Sequence, residues 1–231
     1  IALTLLAFAE DRANLRHAAA IEEAGWQADR VLSIVEDQGI PPAGAVTLLR
    51  KDPENRGRNL FAAHCASCHR YNGHDGRGYP VMDEQSAPEL AGFASVEWIT
   101  KLLTHKHYIS AEYFGGTAFK DGTMARKVLA KYTPEETALL PDIARLLSDM
   151  AELPYQEALD DEERDELLAL FYNDDSVFQD GLACIECHDI DSEEEGHAPD
   201  LTGYGSNEWT VAFIKNPEEE RFYGDENDRM P

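Results

Sequence analysis

The sequence predicts an all-α chain that carries one domain twice, behind an N-terminal helix. Three observations carry this. No stretch shows the apolar–polar alternation of a strand. Several segments begin with a helix-capping residue and continue with apolar residues three and four apart. Residues 87–103 (APELAGFASVEWITKLL) return at a constant offset of 111 as residues 198–214 (APDLTGYGSNEWTVAFI), with Ala, Pro, Leu, Gly, Ser, Glu and Trp coinciding. Tyr113-Phe114-Gly115 is then answered by Phe222-Tyr223-Gly224.

Residues 1–9 (IALTLLAFA) are apolar but too short to span a bilayer. Ala7-Phe8-Ala9 fits a signal-peptide cleavage site, and the run also fits the last turns of a transmembrane helix that begins upstream. The lack of a basic segment before it, and helix-favouring residues continuing to Val35, favour the second expectation. Residues 10–37 read as one polar helix, ended by Gly39 and Pro41-Pro42. After a turn at Asp52-Pro53 comes a short helix from Gly57 to Ala63, with Leu60 and Phe61, running into the first cysteine. Residues 95–104 form a helix capped by Ser95, with Trp98 and Leu102 on one face. Residues 133–150 open with Thr133-Pro134 and carry the stripe Leu139, Ile143, Leu146 and Leu147. The acidic stretch 151–163, with Pro154, reads as a linker, and 164–172 as a further helix. The expected organisation is therefore residues 1–52 as helix and linker, 53–152 as the first domain, and 153–231 as the second, which lacks a final helix.

The composition is that of a folded chain: 231 residues, 43% hydrophobic and 28% charged. Wholesale disorder is excluded. A net charge of −25 repels phosphate backbones and excludes nucleic-acid binding. The charge is uneven, −4 over residues 1–150 and −21 over residues 151–231. A solvated face suited to a salty habitat accounts for this, and so does a docking surface for a basic partner.

Each repeat is preceded by C-x-x-C-H, as Cys65-Ala66-Ser67-Cys68-His69 and Cys184-Ile185-Glu186-Cys187-His188. This is the haem c attachment signature. Two thiols three positions apart on one turn reach both vinyl groups of a porphyrin, and the next residue is held under the iron. The two motifs use all four cysteines and leave none for disulfides. A redox dithiol or a four-cysteine zinc site is the rival. The separation of 119 positions from Cys65 to Cys184 is far more than a zinc ribbon uses, and neither rival explains the adjacent histidines.

A second axial ligand is expected downstream in each repeat. Met230 lies in the polar, turn-rich stretch 224–229 and has little core to fill; His197 is its rival. Met124 follows Gly122-Thr123, with His105, His107 and Met82 as alternatives. His64 and His74 read as surface or haem-edge groups. Trp98 and Trp209 occupy equivalent positions, where they pack the core or donate to a propionate. Pro88 and Pro199 also correspond, and a carbonyl beside them is placed to accept the proximal imidazole N–H.

These residues resemble class I c-type cytochromes, twice over. The family has a first helix with Gly and an aromatic residue, C-x-x-C-H, a Pro-Leu loop, a Trp-bearing helix, a Met ligand and a last helix. Gly57, Phe61, Cys65, Cys68, His69, Pro88, Leu90, Trp98, Met124 and helix 133–150 fill those places in the first repeat. Phe178, Gly181, Cys184, Cys187, His188, Pro199, Leu201, Trp209 and Met230 fill all but the last in the second. The resemblance implies two covalent haems c, with iron held by His69 and Met124 and by His188 and Met230.

The run Gly39-Ile40-Pro41-Pro42, Leu48 to Pro53, Gly57 and Leu60-Phe61 is similar to the join between a bacterial cytochrome b and its fused two-haem tail. That likeness implies electron transfer in a quinol-oxidising cytochrome bc complex, on the extracytoplasmic (periplasmic) side of the membrane. It implies a cytochrome b and a Rieske-type donor, a basic soluble cytochrome or oxidase as acceptor, and a membrane anchor before Ile1. The alternatives are the two-haem subunit of a terminal oxidase, and a two-haem cytochrome c peroxidase.

Overall fold

The computed structural model describes residues 2–191, 198–227 and 230. Among the described residues there are helices and isolated bridges but no strand. The chain divides into two compact units, Ile1–Ala91 and Gly92–Pro231. This division falls inside the first repeat, between its C-x-x-C-H motif and its Trp helix.

The first unit holds α1 (Ala2–Ala13), α2 (Leu15–Gln38), α3 (Val46–Lys51) and α4 (Pro53–His64). The polar helix expected as one piece is two. Asn14 breaks it, because its side-chain oxygen accepts from the backbone N–H groups of Arg16 and His17 at 3.1 and 3.2 Å. A short amide competing with the backbone in this way starts a new helix rather than continuing an old one. Gly39, at φ 72°, ends α2 as expected. None of the residues of α1 is buried, and Leu3, Leu5, Leu6 and Phe8 all face outward. Among the described residues no helix is long and apolar enough to cross a membrane.

Helix α4 begins at Pro53, four residues before the expected Gly57. Asp52 caps it by accepting from Asn55 N–H at 3.0 Å, and Pro53 fits the first turn. The same carboxylate is gripped by Arg30 of α2 through bonds of 2.7 and 3.1 Å. That grip holds Asp52 below the usual carboxylate range. Arg58 of α4 pairs with Glu23 of α2 at 2.8 Å and lies 3.8 Å over the Trp26 ring. With Arg30 also 3.4 Å from Glu54, three ion pairs tie the polar helix α2 to the helix that leads into the first motif.

The second unit holds α5 (Val96–Leu103), α6 (His105–Tyr108), α7 (Pro134–Met150), α8 (Asp161–Tyr172) and α9 (Asn207–Lys215), with a π-helical turn at Met124–Leu129. Helix α5 packs on α7. The buried faces are Trp98, Ile99 and Leu103 on one, and Leu140, Ile143, Ala144, Leu146 and Leu147 on the other. Each fully buried Leu or Ile contributes about 2 kcal/mol. Thr133 and Glu136 close a capping box at the start of α7. The acidic stretch 151–163 is not a free linker. Ala151 and Leu159 are buried, Leu159 N–H donates to Asp149 at 2.8 Å, and α8 begins at Asp161 behind a capping box built on Asp160. A run of carboxylates hid a helix start, because Asp and Glu in a first turn are themselves a start signal.

Candidate haem-binding sites

The first motif closes α4. Cys65 N–H donates to Phe61 O at 2.8 Å, so the helix runs straight into the cysteine. Cys68 N–H and His69 N–H then both donate to Cys65 O, at 3.1 and 2.9 Å. The second motif makes the same turn: Cys187 N–H and His188 N–H donate to Cys184 O at 3.2 and 2.9 Å. None of the four cysteines is in a disulfide. Burial raises the thiols of Cys65 and Cys187 and pushes that of Cys184 up to about 12. A reactive dithiol needs the opposite shift.

The histidines are oriented alike. His69 Nδ1 lies 2.7 Å from Pro88 O, and His188 Nδ1 lies 2.8 Å from Pro199 O. A carbonyl only accepts, so Nδ1 carries the hydrogen and Nε2 presents its lone pair. Burial also lowers the pKa of both imidazoles and keeps them neutral, as a metal ligand must be.

The loops carrying these carbonyls are pinned by matching bonds. Leu90 N–H donates to Arg70 O and Leu201 N–H to Asp189 O, each at 2.9 Å. In both cases the acceptor is the residue after the motif histidine. Ser95 caps α5 through Trp98 N–H at 3.2 Å, and Ser206 caps α9 through Trp209 N–H at 3.1 Å. The Trp98 ring lies 5.0 Å from Phe93 and 5.3 Å from Tyr113; the Trp209 ring lies 5.0 Å from Tyr204 and 5.3 Å from Phe222. The indole N–H of Trp209 donates to Asp200 O at 3.3 Å. The repeats also meet through equivalent residues. Phe93 packs on Tyr204 at 5.7 Å, and Gly205 (φ 77°) backs onto Ala94 so closely that a Cβ there would lie 2.4 Å from the alanine methyl.

Met124 opens the π-helical turn in the second unit, partly buried against the apolar core. Met230 is partly buried, and its carbonyl accepts from Asn227 Nδ2 at 2.8 Å. Of the rivals, Met82 is exposed, and His105 and His107 sit partly buried in α6. His197 lies outside the described residues, as do Glu193, Glu194 and Glu195. His64 is exposed on the last turn of α4. His74 holds its own loop together, since its Nδ1 accepts from Gly76 and Gly78 N–H at 3.0 and 3.2 Å. Gly76, at φ 84°, sits where a Cβ would press to 2.9 Å from Phe61.

Sequence reasoning missed Arg70. It is buried, and its guanidinium donates to Ala66 O and His69 O, each at 2.8 Å, and to Asp83 O. One side chain thus ties three carbonyls around the first motif. No residue pattern announced it, since an arginine in a polar loop ordinarily points outward. Asp75 was missed too, although Asp75-Gly76 is a turn signal; it is buried and accepts from Arg77 and Tyr79 N–H at 2.9 and 3.0 Å.

Residues 54–142 match the family described as Cytochrome c. That stretch is a cytochrome c domain. No curated protein and no solved structure matches the chain. A cytochrome c domain implies covalently bound haem c and haem-based electron transfer. The residues of this one fit the group: two thiols on one turn, outside any disulfide, followed by a neutral imidazole whose Nδ1 is fixed by Pro88. Within the matched span lie Cys65, Cys68, His69, Pro88, Trp98 and Met124.

Proposed function

We propose that the chain is a two-haem electron carrier, built from two tandem class I c-type domains. One observation carries this reading. The second C-x-x-C-H adopts the same hydrogen-bonded turn as the first and sets His188 on Pro199 as His69 is set on Pro88. This supports the same group at the second motif, although the family match stops at residue 142.

Cys65 and Cys68 hold the first haem through thioethers, and Cys184 and Cys187 the second. When bound, each haem supplies a one-electron couple. The protein's part is to bind, orient and tune it. The Pro88 and Pro199 carbonyls hold each proximal ring in one tautomer and raise its basicity. Met124 and Met230 are the assigned distal ligands; a thioether there raises the potential.

The place of this carrier is the extracytoplasmic (periplasmic) side of a membrane, as the cytochrome c part of a quinol-oxidising cytochrome bc complex. The outward-facing apolar residues Leu3, Leu5, Leu6 and Phe8 on α1 support membrane attachment near that end. Cytochrome b and a Rieske-type centre are then the donors. The −21 charge of residues 151–231 supports a basic soluble cytochrome or oxidase as acceptor.

Mass spectrometry of the denatured chain tests the core of this. Two haem masses that resist acid–acetone extraction are expected. A single haem, or thiols at Cys184 and Cys187 that still alkylate, would overturn the two-haem reading.

A further inference from the structure

The two motifs are entered differently. Cys65 is the C-terminal cap of α4, so the first attachment turn inherits the stiffness of a 12-residue helix. Cys184 has no such support. Helix α8 ends at Tyr172, a left-handed Asn173 turns the chain, and residues 174–183 approach the cysteine as a loop. Ala183, just before it, is extended at φ −67° and ψ 149°. Loops of this kind open locally at low cost unless something grips them.

The grip comes from the segment that ends the first repeat. Glu136, in the first turn of α7, is 3% exposed. One oxygen accepts from Gln179 N–H at 2.9 Å and the other from Gln179 Nε2 at 3.3 Å. Three residues farther along the loop, Leu182 O accepts from the Tyr132 hydroxyl at 2.9 Å. The Tyr132 ring packs 5.6 Å from Phe178, which is itself 2% exposed and bracketed by Asn173 through bonds of 2.9 and 3.1 Å. Burial raises the Tyr132 hydroxyl above its ordinary range, so it stays a donor. The loop is thus held at Phe178, Gln179 and Leu182, and the next residues are Ala183 and Cys184.

We infer that Tyr132 and Glu136, which belong to the first repeat, are positioning residues for the second haem-attachment loop. Helix α7 supplies the surface on which that loop is set. This rests on the two-haem reading. Tyr132 also packs in the same small cluster as Met124, eight residues before it. One segment therefore touches the surroundings of the first haem's assigned ligand at one end and grips the second attachment loop at the other. A change at Tyr132 is felt at the second site through the loop it holds.

The experiment uses the haem-loaded full chain and the variants Tyr132→Phe, Glu136→Gln and Gln179→Ala. Tyr132→Phe removes only a hydroxyl and keeps the ring against Phe178. Hydrogen exchange should quicken about fivefold in residues 178–184 and not in residues 60–70. A redox titration should show one midpoint potential moved, that of the haem on Cys184 and Cys187, with the other unchanged. Exchange and both potentials left as in the parent protein would overturn the inference, as would equal shifts at both haems. A parent chain that carries one haem would instead overturn the two-haem reading, and its mass shows this before any variant is made.

Discussion

His188 Nδ1 and the carbonyl oxygen of Pro199 lie 2.8 Å apart, across eleven residues of sequence, and His69 with Pro88 repeats the pair at 2.7 Å across nineteen. Two loops of different length converge on one geometry. The shared element is the Leu N–H two residues after each proline, which ties the loop back to the residue after the histidine. Replacing Pro199 by Gly keeps the carbonyl and frees the chain before folding. It should cost about 1 kcal/mol of stability in a denaturant titration while leaving the spectrum of the second haem intact.

The proposed distal ligands, Met124 and Met230 of the two-haem reading, predict separable spectra. Met124→Ala should turn only the first haem high-spin, and Met230→Ala only the second, as read in the oxidised visible spectrum. Met→His at either position should keep that haem low-spin and lower its potential. A first haem unchanged by Met124→Ala would move the assignment to His105 or His107.

Arg70 is buried and directs its guanidinium to three carbonyls beside the first motif. Arg70→Ala leaves those acceptors without that donor and should cost about 3 kcal/mol in thermal or denaturant unfolding. Arg70→Lys should recover little of it, because one ammonium nitrogen cannot take the places of both Nη1, on Ala66 O and His69 O, and Nη2, on Asp83 O. The second motif carries Asp189 at this place, so its haem spectrum should not respond.

Acid should loosen the fold through two named carboxylates. Arg30 holds the folded-state pKa of Asp52 down. Burial opposes the charge of Glu136, but the bonds from Thr133 and Gln179 outweigh it and hold its pKa down as well. A depressed folded value contributes stability in full above the unfolded value, about 4, and loses it as pH falls through the folded value. Unfolding followed by circular dichroism should therefore show stability falling below about pH 4. Asp52→Asn, which keeps the helix cap, should flatten that fall.

Docking of a basic partner should be visible in kinetics. Glu218, Glu219 and Glu220 are exposed, and Glu219 pairs only at the surface, with Arg221 at 3.1 Å. Electron transfer to a basic cytochrome should slow steeply as salt rises, since the Debye length is about 10 Å at 0.1 M. Changing these three residues to Gln, or Glu193, Glu194 and Glu195 likewise, should slow it at low salt with both potentials unchanged. A rate indifferent to salt and to both triplets would reduce the charge to solvation.

Chemistry that is local could be read from the residues alone. Cys65, Cys68 and His69, and their counterparts at 184, 187 and 188, are legible because one helical turn fixes their spacing. Ser95, Thr133 and Gly39 mark helix ends because caps act within three residues. Pro88 and Pro199 stood out through the repeat. They also led to the expectation of a carbonyl partner for each histidine, and the folded chain showed that it is the proline's own. It took the folded chain to turn Arg70 inward, and to carry Tyr132 and Glu136 to Leu182 and Gln179, some 50 and 43 residues away. Such contacts leave no period in the sequence. Each depends on which buried polar group is left to be satisfied once the helices have packed, and that is a property of the whole fold and not of any window of residues.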